Sequence, residues 1–208
     1  MDTDKITLFN ISVQEKDKNR CNVYIDGEYS FSLSLEIVMK YHLKKGAEID
    51  EKELNLIKEE DEFSYAVKRA LNYIAKSLKT KKEVKTYLIG KGFSENAVKY
   101  ATEKLISYGY IDDYNYAKQY LENCKKTQGD RLSDYKLMAK GISKEIIGKV
   151  REEVDNNQYE NAKALAEKKL KNKEKSKENI LKTYRYLIGR GFSYEEAEYA
   201  VSFFKEDK

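Results

Sequence analysis

Apolar residues recur at helical spacing on both sides of a glycine-containing turn in residues 80–113. Thr80 and Glu83 have the spacing of a capping box, in which each side chain accepts a hydrogen bond from the other residue's backbone amide. Gly92 suits the left-handed position that ends a helix, and Ser94 is typical of the N-cap that starts the next. The apolar positions of the first helical face are Val84, Tyr87 and Leu88. The pattern predicts a helix-turn-helix unit.

The same turn occurs three times. The segments 88–94 (LIGKGFS), 137–143 (LMAKGIS) and 187–193 (LIGRGFS) follow one another at offsets of 49 and 50 residues. Amphipathic segments flank each copy, and periods of about 20–50 residues are typical of repeat arrays. We therefore predict a mainly α fold in which three tandem three-helix repeats form a curved, elongated rod, because each repeat buries its apolar face against its neighbours.

The first sixty residues have a different pattern, typical of a small β-sheet. Asp26-Gly27 lies between alternating apolar residues and predicts a two-residue hairpin turn. Lys5–Val13 adds a first strand, which completes a three-stranded meander, and short helices are expected over 35–43 and 50–60. The predicted domains are a β-rich extension with short helices at 1–60 and three-helix repeats at 61–112, 113–156 and 157–208.

Charge is divided at the same boundary. Residues 1–60 contain 9 Lys+Arg and 13 Asp+Glu, whereas residues 61–208 contain 31 and 23. A basic body favours an anionic partner such as nucleic acid, although lysine-rich helix faces can also be merely solvated. Lys91, Lys140 and Arg190 occupy equivalent repeat positions, so a rod could align them along one groove. The candidate binding residues are Lys79, Lys82, Lys85, Lys91, Lys125, Lys126, Arg131, Lys140, Lys169, Arg185 and Arg190.

Catalytic and metal-binding patterns are not found. His42 has no nucleophile motif around it, and Cys21 and Cys124 have no metal-ligand spacing. The glycines around Lys91 lack the phosphate-loop spacing, and the adjacent carboxylates at 112–113 suit a helix N-cap better than a metal. No apolar run approaches the roughly 20 residues of a membrane span. We therefore expect a cytoplasmic protein that is no enzyme and has no metal, cofactor or membrane partner.

An ordered set of residues identifies a family resemblance. The set comprises Ala70-Leu71, Tyr73-Ile74, Thr80-x-x-Glu83-Val84, Leu88-x-x-Lys91-Gly92-Phe93, Val98, Leu105 and Gly109-Tyr110-Ile111-Asp112-Asp113-x-x-Tyr116-Ala117. Together these residues resemble the RecX family, regulators of the bacterial recombinase RecA. The hairpin at 24–29 (YIDGEY) is similar to the extension of many Gram-positive members. The resemblance is strongest over 66–120 and weaker over the second repeat, where Asp130 and Lys136 depart from the family pattern.

The resemblance implies a monomer that lies in the helical groove of the filament formed by RecA on single-stranded DNA. Such proteins restrain filament growth, ATP hydrolysis, strand exchange and the co-protease activity of RecA, in DNA repair and the SOS response. The expected partners are therefore the RecA filament and single-stranded DNA, with duplex DNA bound more weakly. The departures at Asp130 and Lys136 leave open how large a part the second repeat plays in binding.

A transcription factor built from tandem helix-turn-helix units is the alternative. Such a protein would place the helix after each turn in the major groove of DNA. The helices after these turns are poor in the Arg, Asn and Gln side chains that recognise base edges. The third, at 193–205, is acidic, with Glu195, Glu196 and Glu198. These compositions favour the filament regulator.

Overall fold

The computed structural model describes residues 5–154 and 156–204. The strands are β1 (Lys5–Val13), β2 (Arg20–Ile25), β3 (Glu28–Ser34) and β4 (Glu48–Asp50). The helices are α1 (Leu35–Lys40), α2 (Glu51–Ile74), α3 (Lys81–Ile89), α4 (Glu95–Ser107), α5 (Asp113–Cys124), α6 (Asp130–Ala139), α7 (Lys144–Glu153), α8 (Gln158–Leu170), α9 (Lys177–Gly189) and α10 (Tyr194–Ser202). The predicted mainly α fold, with three-helix repeats and a small N-terminal antiparallel sheet, is confirmed. The curved rod stays a prediction.

The chain forms two compact units. One comprises residues 1–77 and 84–110, and the other comprises residues 78–83 and 111–208. The second unit contains the second and third repeats together with the first turn of α3. Helix α3 therefore contributes residues to both units. The domain boundaries at 60, 112 and 156 stay predictions.

The N-terminal sheet is antiparallel and has the strand order β3-β2-β1-β4. The predicted meander forms its first three strands. The fourth strand, β4, pairs Ile49 with Ile6 of β1 and was not predicted, because three residues are too few to show an alternating pattern. Asp26 and Gly27 have φ values of 50° and 84°, which confirms the predicted turn. The buried core of this part includes Leu8, Val23, Leu33, Ile37 and Ile57.

Helix α1 ends at Lys40, so the predicted helix over 35–43 is too long. The cause is His42, whose φ of 50° is left-handed. The Leu43 backbone N–H then donates to the Val38 carbonyl at 2.9 Å. This 6→1 hydrogen bond is the Schellman type of helix end, with histidine in the place that glycine usually takes. His42 therefore has a structural role here.

Helix α2 runs without interruption through residue 61, so the prediction of separate helices over 50–60 and from about 62 is wrong. Asp61 is buried in the middle of this helix. Its Oδ1 accepts a hydrogen bond from the Ser34 backbone N–H at 2.7 Å, and its Oδ2 lies 3.3 Å from Nη2 of Arg20. By contrast, Asp112 and Asn157 cap their own helices, α5 and α8. Asp61 thus anchors the β3–α1 junction to α2.

The second and third repeats have separate cores built by the predicted helical faces. The core of the second repeat includes Ala117, Leu121, Leu137, Ile147 and Val150. The core of the third includes Ala162, Ala166, Leu187, Phe192, Ala197 and Ala200. No helix in the described ranges is both long enough and apolar enough to cross a bilayer.

Candidate nucleic-acid interface

Each repeat contains a turn, here called a corner, at which a basic residue precedes a glycine. Gly92, Gly141 and Gly191 have φ values of 83°, 88° and 92°, so all three occupy the left-handed position that the sequence predicted. The N-cap side chains of Ser94, Ser143 and Ser193 start the helices that follow. The capping boxes Thr80/Glu83 and Ser193/Glu196 are also present. The local geometry is thus confirmed.

The start of α6 docks against the corner of the third repeat. The Gly129 backbone N–H donates to the Arg190 carbonyl at 2.9 Å, and the Arg131 N–H donates to the Gly191 carbonyl at 3.2 Å. First-turn amides have no partner within their own helix, so carbonyls of the next repeat satisfy them. In the structure, Gly129 brings Arg131 and Arg190 together from different repeats.

The first turn of α3 docks in the same way against the corner of the second repeat. The Thr80 hydroxyl donates to the Lys140 carbonyl at 2.8 Å, and Nζ of Lys82 donates to the Ala139 carbonyl at 3.0 Å. Nζ of Lys140 lies 2.5 Å from Oε1 of Glu83. Lys82 and Lys140 were predicted as binding residues, but both make internal contacts within the second unit.

The Lys140–Glu83 pair makes the stability of the second unit depend on pH. Burial alone would raise the pKa of Glu83, but hydrogen bonds from Lys140 and the Thr80 N–H outweigh it and hold the pKa below its ordinary value. The charged carboxylate therefore stabilises the fold above the unfolded-state pKa, and this stabilisation is lost as the pH falls through the folded-state pKa.

Glu83→Gln is therefore expected to reduce the loss of stability on acidification. The Glu83 side chain is 24% exposed. We therefore expect the acid-induced losses of unfolding free energy in the wild type and in Glu83→Gln to differ by at most about 1 kcal/mol. Urea unfolding at neutral and at acidic pH measures this difference. Glu103→Gln is the control, because Glu103 is exposed and makes no ion pair with the described residues. If acidification lowered the free energy of unfolding equally in the wild type and in Glu83→Gln, the stabilising role of the charged Glu83 carboxylate would be contradicted.

Asp130, the departure from the family pattern, also serves the fold. Its carboxylate pairs with Nη1 of Arg151 and accepts a hydrogen bond from Nδ2 of Asn156 at 2.9 Å. Nη2 of Arg151 lies 2.6 Å from Oδ1 of Asp134. Burial raises the pKa of Asp130, and the Arg151 charge opposes this rise. The acidic residue at the start of α6 is therefore neutralised within the second repeat.

A basic cluster surrounds Tyr186 in the third repeat. Nζ of Lys169 lies 4.6 Å from the ring centroid of Tyr186, and Cζ of Arg190 lies 5.1 Å from the same centroid. Both distances are within the range of cation–π attraction. The ring forms part of a surface depression of about 510 Å³. The depression is lined by Thr127, Leu165, Lys168, Lys169, Tyr186 and Arg190.

Two more predicted cations lie beside tyrosines. Cζ of Arg131 is 6.0 Å from the ring centroid of Tyr194, which is 64% exposed. In the first repeat, Nζ of Lys91 is 5.7 Å from the ring centroid of Tyr87. Tyr87 precedes Lys91 by four residues, as Tyr186 precedes Arg190, and residues at this spacing are neighbours on a helix.

The remaining predicted residues are dispersed. Lys125 forms an ion pair with Glu122 at 2.6 Å, while Lys126 and Arg185 are exposed. Lys79 and Lys85 are half-buried. The sequence prediction therefore included residues with different surroundings. In the second unit Lys169, Arg190 and Arg131 lie beside tyrosine rings without an ion pair to the described residues, whereas Lys140 lies beside Tyr116 and also pairs with Glu83.

The sequence prediction missed Lys168, Tyr186 and Tyr194 as site residues. The repeated spacing of tyrosine and basic residue, Tyr87 with Lys91 and Tyr186 with Arg190, was the available signal. The contribution of Lys168 could not be found in this way, because it depends on how α8 packs beside α9.

The cysteines and the adjacent carboxylates that were considered as metal ligands have structural surroundings. Cys21 and Cys124 are buried free thiols, and burial raises the pKa of each. Asp112 accepts the Asn115 N–H at 2.9 Å, and Asp113 accepts the Lys81 N–H at 2.8 Å. Within the described ranges, no three His, Cys, Asp or Glu side chains are grouped as metal ligands would be. The carboxylate pair at 112–113 thus acts in helix capping and docking.

Three family models match segments of the chain. They describe the N-terminal domain of the regulatory protein RecX (residues 4–50), the first three-helix domain of RecX (66–105) and the third (156–201). The RecX regulatory protein of Clostridium acetobutylicum is 39% identical over 197 residues, which cover 91% of this chain and 92% of that protein. The corresponding protein of Clostridium tetani is 36% identical over 202 residues, 94% of each chain.

Solved structures agree with these matches. A crystal structure of the regulatory protein RecX superimposes with a TM-score of 0.66 at 27% identity, covering 95% of this chain and 99% of that one. RecX from Lactobacillus salivarius gives a TM-score of 0.60 at 28% identity, covering 69% and 97%. Sequence relatives and fold neighbours thus agree along most of the chain, which belongs to the family of RecX regulatory proteins.

Proposed function

We propose that this protein binds the helical groove of the RecA filament on single-stranded DNA and inhibits filament growth. Restrained ATP hydrolysis, strand exchange and co-protease activity follow from that binding, in DNA repair and the SOS response. Membership of the RecX family supports this function. The protein acts without catalysis or a cofactor, as a monomer in the cytoplasm.

The observation that carries the proposal is the cluster of cations at the junction of the second and third repeats. Arg131, Lys169 and Arg190 lie beside tyrosine rings rather than in ion pairs, and no carboxylate in the described ranges forms an ion pair with them. Cations without an internal carboxylate partner can neutralise phosphates or external carboxylates at little cost to the fold. Lys82 and Lys140 are left out of the proposed surface because they hold the first turn of α3.

The test is the DNA-dependent ATPase of RecA. The protein is added at substoichiometric amounts to preformed and to growing filaments, and its affinity for the bare strand is titrated at the same salt concentration. Inhibition well below saturation of the bare strand supports a filament regulator. Stronger inhibition of growing filaments would indicate binding at filament ends. No inhibition, together with tight binding of duplex DNA, would favour the transcription-factor alternative.

The double substitution Lys91→Glu and Arg190→Glu is expected to weaken filament binding at least tenfold while the protein stays folded. Both side chains are exposed, so charge reversal introduces repulsion without disturbing the core. The ATPase titration measures the effect, and circular dichroism verifies the fold. Lys99→Glu with Lys149→Glu is the matched control, because it reverses the same charge at one exposed lysine in each unit. Equal inhibition by both double variants would contradict a specific role for the corners.

A further inference from the structure

We propose that the depression around Tyr186 is a binding site for the phosphodiester backbone of a single DNA strand, with Lys169 and Arg190 as the residues that hold a phosphate. This inference rests on the proposed function and adds to it the part of the filament that the third repeat contacts. The proposal also distinguishes the basic residues that bind DNA from the other basic residues of the chain.

The lining of the depression has the charge that a phosphate requires. Lys168, Lys169 and Arg190 contribute positive charge, and no described residue of the lining is a carboxylate. Three other cations of the second unit are paired: Lys118 with Glu153, Lys140 with Glu83 and Lys182 with Glu178. The cations around Tyr186 form no ion pair with the described residues. The depression therefore presents three positive charges that no carboxylate of its lining neutralises.

Tyr186 holds these cations in place before the ligand arrives. The ring lies 4.6 Å from Nζ of Lys169 and 5.1 Å from Cζ of Arg190. A long basic side chain loses rotamer freedom when it binds, and contact with a ring removes part of that cost in advance. The guanidinium of Arg190 can then bind two phosphate oxygens, while Lys169 supplies a point charge.

The main chain also fixes the position of Arg190. Its carbonyl accepts the Gly129 N–H at 2.9 Å, and its own N–H donates to the Tyr186 and Leu187 carbonyls at 3.0 Å each. The corner is therefore held by the second repeat on one side and by α9 on the other. Because the backbone cannot move freely, the side chain of Arg190 projects from a fixed point.

The size and the remaining lining fit one nucleotide unit of a strand. A volume of about 510 Å³ lies within the range of small-ligand sites. Leu165 provides an apolar side chain that can contact a sugar. Besides the basic residues that we assign to the phosphate, the described lining contains no Asn, Gln, Asp or Glu that would recognise base edges. We therefore expect the affinity of the site to depend little on base sequence.

Fluorescence anisotropy of a labelled oligothymidylate, titrated with the full chain over a series of salt concentrations, tests the site. We expect Lys169→Gln with Arg190→Gln to weaken binding at least tenfold. The slope of log affinity against log salt should become shallower by about 0.7 for each phosphate that the variant fails to neutralise. Lys144→Gln with Lys149→Gln removes the same charge from exposed positions of α7 and should change the affinity no more than about twofold.

Two further variants distinguish the effect of the positive charges from the effect of their positioning by Tyr186. Tyr186→Leu keeps both cations and should weaken binding several-fold with little change of the salt slope. Lys169→Gln alone should give about half of the slope change, and its exposed position makes it safe for folding. Urea unfolding verifies that each variant is folded. A site variant with the affinity and slope of the α7 control would overturn the proposal.

The RecA ATPase distinguishes failure of the site from failure of the proposed function. If the site variant binds the bare strand normally but no longer inhibits RecA, the residues contact acidic groups of RecA, and the phosphate site is wrong. If the wild type never inhibits RecA but the site variant fails to bind the strand, the proposed function is wrong and the phosphate site stands.

Discussion

Gly129→Ala is expected to destabilise the second unit by about 3 kcal/mol or more, because the added methyl group has no room. A Cβ at residue 129 would lie 2.3 Å from the Gly191 carbonyl carbon and 2.3 Å from the Phe192 nitrogen. These atoms belong to the backbone of the corner and cannot rotate away. The substitution must therefore separate the start of α6 from the third repeat.

The backbone conformation of Gly129 does not itself require glycine. Its φ of −75° and ψ of 166° are open to any residue, so the expected cost is steric. Urea unfolding followed by circular dichroism measures it. Gly189→Ala and Gly148→Ala are matched controls, since a Cβ at either position would meet no atom within 4 Å. Gly148→Ala, inside α7, should even stabilise by up to about 1 kcal/mol.

A stability of Gly129→Ala equal to that of the two controls would show that the docking of α6 contributes little. The same variant also tests the proposed DNA site, because the Gly129 N–H holds the Arg190 carbonyl. If docking positions Arg190, the affinity for a single strand should fall together with the stability of the second unit.

Local structure could be predicted from the sequence because its causes are local. The corner at Gly92 requires a left-handed residue, and the N-cap at Ser94 requires a short polar side chain, so each leaves a mark within a few positions. The hairpin at Asp26-Gly27 follows the same logic. Repetition of the corner then revealed the three repeats without any knowledge of their packing.

Contacts between distant segments explain what the sequence did not show. Asp61 is typical of a helix N-cap, yet its carboxylate accepts the Ser34 N–H and faces Arg20, 41 positions away in sequence. Tertiary contacts of this kind allow α2 to continue through the predicted boundary. Nor can a sequence indicate that Gly129 contacts another backbone, since glycine is also found at helix N-caps for local reasons.

In the candidate site, too, the sequence indicated local features but not contacts between distant segments. Lys91, Lys140 and Arg190 are equivalent in sequence, but Lys140 pairs with Glu83 whereas Arg190 lies against Tyr186. The sequence therefore showed where the positive charges are, but not which of them form ion pairs within the fold. Residues on other helices determine which cations are paired.

Phe93 and Phe192 occupy equivalent positions in the corners of the first and third repeats but have different surroundings, so substituting each one tests how much the surroundings contribute. Phe192→Ala is expected to destabilise the protein by about 3–5 kcal/mol, because the side chain is completely buried and its removal leaves a cavity. The equivalent Phe93 is only half-buried, and its ring lies 5.7 Å from that of Tyr65. Phe93→Ala should cost clearly less, since solvent already reaches the position and a smaller cavity forms.

The difference follows from docking as well as from burial. The backbone beside Phe192 lies against Gly129 of the second repeat, whereas a Cβ at Gly92, beside Phe93, would meet nothing within 4 Å. Urea unfolding of the two alanine variants gives the comparison directly. Equal destabilisation would contradict a contribution from the greater burial and the docking of the third corner. A larger effect of Phe192→Ala would agree with the complete burial of Phe192 at a corner that the second repeat contacts through Gly129 and that also carries Arg190.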